Sequence, residues 1–261
     1  MNIAIIFVGA VDDRGFNQCA LEGAERMHAT AEATIEIVSG IPYEQAAMTN
    51  ALQDAAARSD GVVFIGGQGN LVTPAVAKAF PNCAFSIVQG NVTGANIASY
   101  DVLQEQSAFL AGALAAQISQ TGVVGHLSGH RVAPGLKGRA AFASGVRHMN
   151  AGVRLVTGFC GTQDDSETTD AWTNAIAGKG ADILFTMLNA ARDGATRACR
   201  ETGIRQIGNV TDWCSFDPTT FVASAVARID LGVERAVTDM LAGTRHDTIV
   251  ELGLAEGAVS L

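Results

Sequence analysis

The chain has 261 residues, 48% of them hydrophobic and 16% charged, with 29 glycines and 5 prolines. This is a globular composition rich in tight turns, long enough for one large domain or two modest lobes, and it excludes a disordered chain. The net charge of −9 argues against nucleic acid or an anionic membrane surface as the main partner, because phosphate binding needs a basic face.

Strand-like and helix-like segments alternate from end to end. The apolar run at residues 2–8 is followed by a helical pattern from Asn17 to about Thr30. The run "TIEIVSG" (Thr34 to Gly40) precedes "YEQAAMTNALQDAAARS", whose apolar residues recur at helical spacing. "GVVFIGG" (Gly61 to Gly67) precedes a helix expected to open near Thr73–Pro74, with proline in its first turn. "CAFSIVQG" and "NIASY" close the first half. The second half repeats the theme with "GVVGHLSG", "RLVTGF", "DILFT", "IRQIGNV" and "FVASAV", separated by helices centred on Phe142, Trp172, Thr196 and Val233.

The strands are short and apolar on both faces, as in a parallel sheet covered by helices on either side. Around ten strands exceed one ordinary sheet. The expected fold is therefore α/β, with two doubly wound parallel-sheet lobes joined by a hinge and a ligand cleft between them. The first crossing is expected near Tyr100–Val102.

No segment reaches the roughly 18 to 20 apolar residues that span a bilayer, so no direct membrane insertion is expected. The opening run, Ile3 to Val8, lacks a basic flank and is too short for a signal peptide. Either the protein is cytoplasmic or a leader has been removed. The five cysteines (Cys19, Cys83, Cys160, Cys199 and Cys214) show no CxxC spacing, and an odd number cannot all pair. They read as free or buried thiols, which leans toward a reducing compartment.

In a doubly wound sheet, ligands sit beyond the carboxyl ends of the strands. The residues this singles out are 9–17, Gly66–Asn70, Gln89–Asn91, Asp101, Ser128–His130, Gly161–Asp165, Met187–Asn189 and Asp212–Trp213. "GGQGN" lacks the third glycine and the GK[ST] of a phosphate cradle and reads as a tight turn. His126 and His130 fall on a strand and its loop, which favours a hydrogen-bonded histidine over a metal pair. Asp12–Asp13 and Asp164–Asp165 offer either acid–base chemistry or helix caps. Phe16 is either a staple beneath the following helix or a stacking platform for a flat ligand. Asn17 beside it carries a donor and an acceptor suited to a heterocycle edge. Trp213 is either a core residue or an opposing platform. No nucleophile motif and no zinc motif is present, and no cofactor or metal is expected.

Those residues carry a resemblance. "DDRGFNQCALEGAE" resembles the "DKSFNQSAWEGL" signature of the basic membrane protein (PnrA-like) family of ABC-transporter substrate-binding proteins. "ASYDVLQEQSAFLAGALAA" (Ala98 to Ala116) is similar to the family's hinge-to-helix segment. "GVVGHLSG…FASGV", "GFCGTQDDSETTDAW" and "IGNVTDWCSFDP…ASAVARID" follow its later blocks in order, so the likeness covers nearly the whole chain. It implies the periplasmic-binding-protein type I fold, with lobes at 1–101 plus about 223–247 and at about 102–222 plus 248–261. It also implies capture of a purine nucleoside, nucleobase or similar flat heterocycle, with an ABC permease as partner and a periplasmic or membrane-tethered location. Two alternatives stand beside it: a cytoplasmic ligand sensor of the same fold, and an enzyme acting on such a heterocycle.

Carried over residue by residue, Phe16 matches the family's base-stacking ring and Asn17 its base-reading amide. Asp101, Glu105 and Gln106 are available where an acidic group reads the base. Val210 stands where an aspartate contributes to ribose binding, Asp212 keeps the second aspartate, and Trp213 replaces a glutamine. Ser224 matches a serine, but Ala227 stands where the resemblance puts a lysine. The ligand-binding set so expected is Asp12, Phe16, Asn17, Asp101, Gln106, Asn189, Asp212 and Trp213. Its aromatic end is kept and its ribose-holding end is depleted.

Overall fold

The apolar runs become strands because helices cover both of their faces, so that every residue of Gly61–Ile65 and of Ile183–Met187 is buried. The computed structural model describes residues 1–261. In chain order it contains β1 (Asn2–Val8), α1 (Phe16–Thr30), β2 (Thr34–Ile41), α2 (Gln45–Arg58), β3 (Gly61–Ile65), α3 (Gly69–Ala79), β4 (Ala84–Val88) and β5 (Ile97–Val102). There follow α4 (Gln104–Ile118), β6 (Val123–Ser128), α5 (Ala133–Met149), β7 (Arg154–Phe159), α6 (Ser166–Ala177), β8 (Ile183–Met187), α7 (Arg192–Thr202) and β9 (Arg205–Val210). A 3-10 turn (Trp213–Ser215), β10 (Phe221–Ala227), α8 (Ile229–Leu241), β11 (Val250–Leu252) and β12 (Val259–Ser260) complete it.

The chain forms two compact units. The first comprises Met1–Asp12, Phe16–Val102 and Arg228–Leu252; the second comprises Asp13–Gly15, Leu103–Ala227 and Gly253–Leu261. The long crossings thus fall after Val102, Ala227 and Leu252, where the sequence placed them after residue 101 and near residues 222 and 247. The difference at the second crossing arises because β10 pairs with β9 in the second sheet, and at the third because β11 pairs with β5 in the first.

The first unit is a six-stranded parallel sheet in the order β11-β5-β4-β3-β1-β2. The second has the order β12-β10-β9-β8-β6-β7, parallel except for β12, which runs antiparallel to β10. Two strands escape the sequence reading, β11 and β12, because three and two residues are too few to show a period. The other departure is α3, which starts at Gly69, so that Pro74 lies inside the helix and not in its first turn. The turn at Gly66 (φ +110°) and the bond from Asn70 Nδ2 to Gly67 O (2.7 Å) launch the helix one turn earlier than the proline suggests.

Alternation along the strands sorts the second unit's core into two layers. Ile183, Phe185 and Met187 of β8 pack with Ala108, Ala111, Phe142 and Val146 of α4 and α5. Leu184 and Leu188 face Ile176, Ala195 and Cys199 on the α6 and α7 side. None of the five cysteines is in a disulfide. Burial pushes the thiols of Cys19 and Cys199 up to about 12 and that of Cys83 to about 11, which leaves them protonated and unreactive at neutral pH.

In the first unit, α8 carries a buried carboxylate, Asp239, that accepts from Arg235 Nε (2.8 Å), His246 Nε2 (2.7 Å) and Tyr100 Oη (3.2 Å). Burial alone would raise this carboxyl, but the bonds from Arg235 and His246 outweigh it and hold the group below its ordinary range. A depressed carboxyl contributes stability above its unfolded pKa near 4, and loses it as the pH falls through the folded value. Asp239→Asn is therefore expected to lower stability by about 1–3 kcal/mol at pH 6. It should also lose less than the wild type between pH 6 and pH 3. Urea unfolding at both pH values measures this, and equal losses in the two proteins would refute it.

Candidate functional site

Each sheet directs its loops beyond the carboxyl ends of its strands, and in each unit that edge holds backbone strain. The non-glycine residues with positive φ are Arg14 (+49°), Gln89 (+65°) and Val210 (+68°). They follow β1 and β4 or end β9. A left-handed conformation costs a non-glycine residue of order 1–3 kcal/mol and persists only where its surroundings enforce it, as happens at functional sites.

In the first unit, Phe16 opens α1 and is partly exposed, while Asn17 is buried. The Asn17 amide donates to Val8 O and Ala10 O, both at 2.8 Å, and so clasps the turn that leaves β1. Its NH2 group is thereby engaged within the loop. Asp12 is exposed on the same loop. The stretch Gly66–Asn70 is tied to the loop after β4, since Asn70 Oδ1 accepts from Asn91 N (2.8 Å). Gln89, left-handed and buried, donates from Nε2 to Val102 O (2.9 Å). Asp101 lies partly buried on β5, in register with Glu251 of β11.

In the second unit, Asp13 is buried and accepts from Gly15 N (2.9 Å), and Arg14 pairs with Asp193 at the start of α7. Gly15 lies so close to Asn189 that an added Cβ would fall 2.8 Å from its Oδ1. Asn189 N in turn donates to Gln163 Oε1 (3.1 Å). Gln106 Oε1 accepts from Leu254 N (2.8 Å), which ties α4 to the segment that follows β11.

Two further carboxylates act as caps. Asp165 caps α6, accepting from Glu167 N (2.9 Å) and Thr168 N (3.1 Å). Asp212 caps the 3-10 turn through Cys214 N (3.1 Å) and the Ser215 hydroxyl, and the Ser215 bond above all holds its carboxyl low. His126 is buried between Ser128 Oγ (2.8 Å) and Thr157 Oγ1 (2.9 Å) and is ringed by Phe142, Phe159 and Phe185. Burial, with a contribution from the Arg139 charge, lowers it to about 3 and keeps the ring neutral. No three His, Cys, Asp or Glu side chains converge as a metal site, and no helix is long and apolar enough to cross a membrane.

Trp213 is partly buried, and its Nε1 donates to Asn209 O (3.1 Å). The indole runs nearly parallel to Phe221 (centroids 5.6 Å, 28°). The Arg192 guanidinium sits over it, 4.2 Å from the ring centroid. Arg192 is the group that sequence reasoning missed. It lies in the helix expected around Thr196, where no sequence motif singles it out, yet Arg192 is only 1% exposed. The available signal was its place at the first position of a helix, where the dipole disfavours a cation.

Comparison with known proteins bears on these edges. The model of the family described as ABC transporter substrate-binding protein PnrA-like matches residues 1–261. Basic membrane protein A2 of Borrelia garinii subsp. bavariensis is 22% identical over 98% of this chain and 78% of its own length. A purine-binding protein of Brucella abortus (strain 2308) is 24% identical over 100% of this chain and 75% of its own. Among solved structures, an ABC transporter solute-binding protein from Aeropyrum pernix K1 superposes with a TM-score of 0.89 at 24% identity, covering 100% of this chain and 76% of the other. The two parallel-sheet units are those of the periplasmic-binding-protein type I fold.

Proposed function

The chain belongs to the PnrA-like family of ABC-transporter substrate-binding proteins, and from that premise we propose that it is a solute receptor for a flat heterocycle, with a purine base as the model guest. The observation that carries this reading is the placing of Phe16. Its ring stands at the first position of α1, partly exposed, on a turn that the Asn17 amide holds in shape. A ring set on a rigid turn loses little entropy when a planar ligand stacks on it. The purine-binding relative from Brucella supports the same class of guest. Asp12 and Asp101, on the same unit's carboxyl edge, are the polar groups that we propose face it.

The guest we favour is a base without strong demand for its sugar. Positions 210 and 227, where the resemblance puts an aspartate and a lysine, hold Val210 and Ala227, which are 3% and 1% exposed. Two hydroxyl-directed hydrogen bonds to charged groups are worth about 1.5–3 kcal/mol each. Calorimetry with adenine, guanine, adenosine and guanosine tests this. The bases are expected to bind at least as tightly as their nucleosides, and a nucleoside tens of times tighter than its base would overturn the assignment. In the same reading the partner is an ABC permease, the location is outside the cytoplasmic membrane, and the ligand is released intact. Chromatography of adenosine after prolonged incubation with equimolar protein reads the last point directly.

A further inference from the structure

Two costs meet at one place in the second unit. Val210, β-branched and buried, ends β9 in the left-handed region (φ +68°), a conformation such a residue adopts only under constraint. Arg192, fully buried, keeps an Nε–H with no partner, although a guanidinium taken out of water is costly unless its donors are met. An ordinary core would place Leu and Gly there at less cost.

The contacts show what the two costs secure. Arg192 Nη2 donates to Leu188 O and to Asn209 Oδ1, with Asn209 O at 3.5 Å, and Nη1 reaches Arg14 O at 3.4 Å. Asn209, the residue before Val210, is thus gripped by the guanidinium, and its carbonyl also accepts from Trp213 Nε1. Trp213 N donates to Ser224 Oγ (2.8 Å). Gly208 leaves room for the indole, because a Cβ there would lie well inside 3.0 Å of the ring. The left-handed turn at Val210 folds Trp213 back over its own strand, and Arg192 covers it. An anion site at the α7 N-terminus does not account for this. Ala191 N and Arg192 N are already bonded to Gln163 O (2.8 Å) and Asn189 O (3.0 Å), and Asp193 stands in the first turn.

We infer that Arg192 is a positioning residue: it holds the strained turn at Val210 closed and thereby fixes the plane of the Trp213 indole at the carboxyl edge of the second sheet. This role is independent of the function proposed above.

The experiment uses the full chain with Trp172→Phe, which leaves Trp213 as the only tryptophan, since the chain has two. In that background Arg192→Met is expected to shift Trp213 emission to the red and increase its quenching by acrylamide without ligand. Val210→Gly relieves the strain, because glycine accepts positive φ freely, and alone is expected to leave the emission in place. Added to Arg192→Met, it should restore most of the emission, a rescue that a general packing role would not produce. Unchanged emission in a folded Arg192→Met protein, or losses of equal size with and without Val210→Gly, would overturn the inference. Should Arg192→Met fail to fold, Arg192→Lys keeps the charge and loses the fork. A smaller red shift, again reversed by Val210→Gly, is then expected, and no shift overturns the inference.

Discussion

Phe16→Ala is expected to weaken adenine binding by about 2 kcal/mol, roughly thirtyfold, while changing thermal stability little. The ring stands at the first position of α1 and is partly exposed, whereas the core of the first unit is closed by Phe7, Phe64 and Phe85, each no more than 2% exposed. A platform and a staple make opposite predictions. If Phe16 stapled α1 to the chain before it, truncation would lower the melting temperature and leave affinity intact. If it stacks a guest, Phe16→Leu should keep stability and still lose most of the affinity, because a leucine fills volume without offering a π face. Calorimetric affinity and a melting curve on the same three proteins separate the two. A Phe16→Ala protein with unchanged affinity and a depressed melting temperature would remove the main support for the proposed function.

The second large effect concerns the second unit's helix pair. Gly112 of α4 faces the Phe142 carbonyl of α5, and Gly145 of α5 faces the Phe109 carbonyl of α4. A Cβ at either position would lie well inside 3.0 Å of that oxygen. On an isolated helix, Gly→Ala would stabilise by about 1 kcal/mol. Here the helices must separate to admit the methyl, and the loosened layer includes Ala108, Ala111, Phe142 and Val146. Gly112→Ala is therefore expected to destabilise by about 1–3 kcal/mol net, with Gly112→Val beyond that. Gly145→Ala should cost a similar amount. The double variant should cost less than the sum, because one separation accommodates both methyls. Urea denaturation of the wild type and the four variants provides the measurement. A Gly112→Ala protein more stable than the wild type would contradict the close approach.

Particular residues show where reading the sequence succeeds and where it stops. The run "GVVFI" announces β3 because five apolar residues between turn signals have no cheaper place than a covered parallel strand. For Asp165 the sequence leaves capping and acid–base chemistry open, and the bonds from Glu167 N and Thr168 N, within one turn, decide for the cap. Asn17 is half legible: its type and loop are plain, but its donors go to Val8 O and Ala10 O, as the path of the turn dictates. Trp213 was open between core and platform, and the structure engages its ring with Arg192 and Phe221. The glycine stretch before α3 looked like loop because glycine carries no periodic signal, and so the helix start was missed.

What the sequence by itself determined is the alternation of strands and helices, the two-lobed α/β class and the family, because period and block order act over a few residues at a time. What only the tertiary structure decided is the fate of single polar and strained groups: the buried Arg192, the left-handed Val210, the engaged Asn17 and Trp213, and the strands that close each sheet. Arg192 finds Asn209 and Arg14 at separations of 17 and 178 residues. Whether a charge can stay buried depends on partners at such distances, which no local pattern encodes.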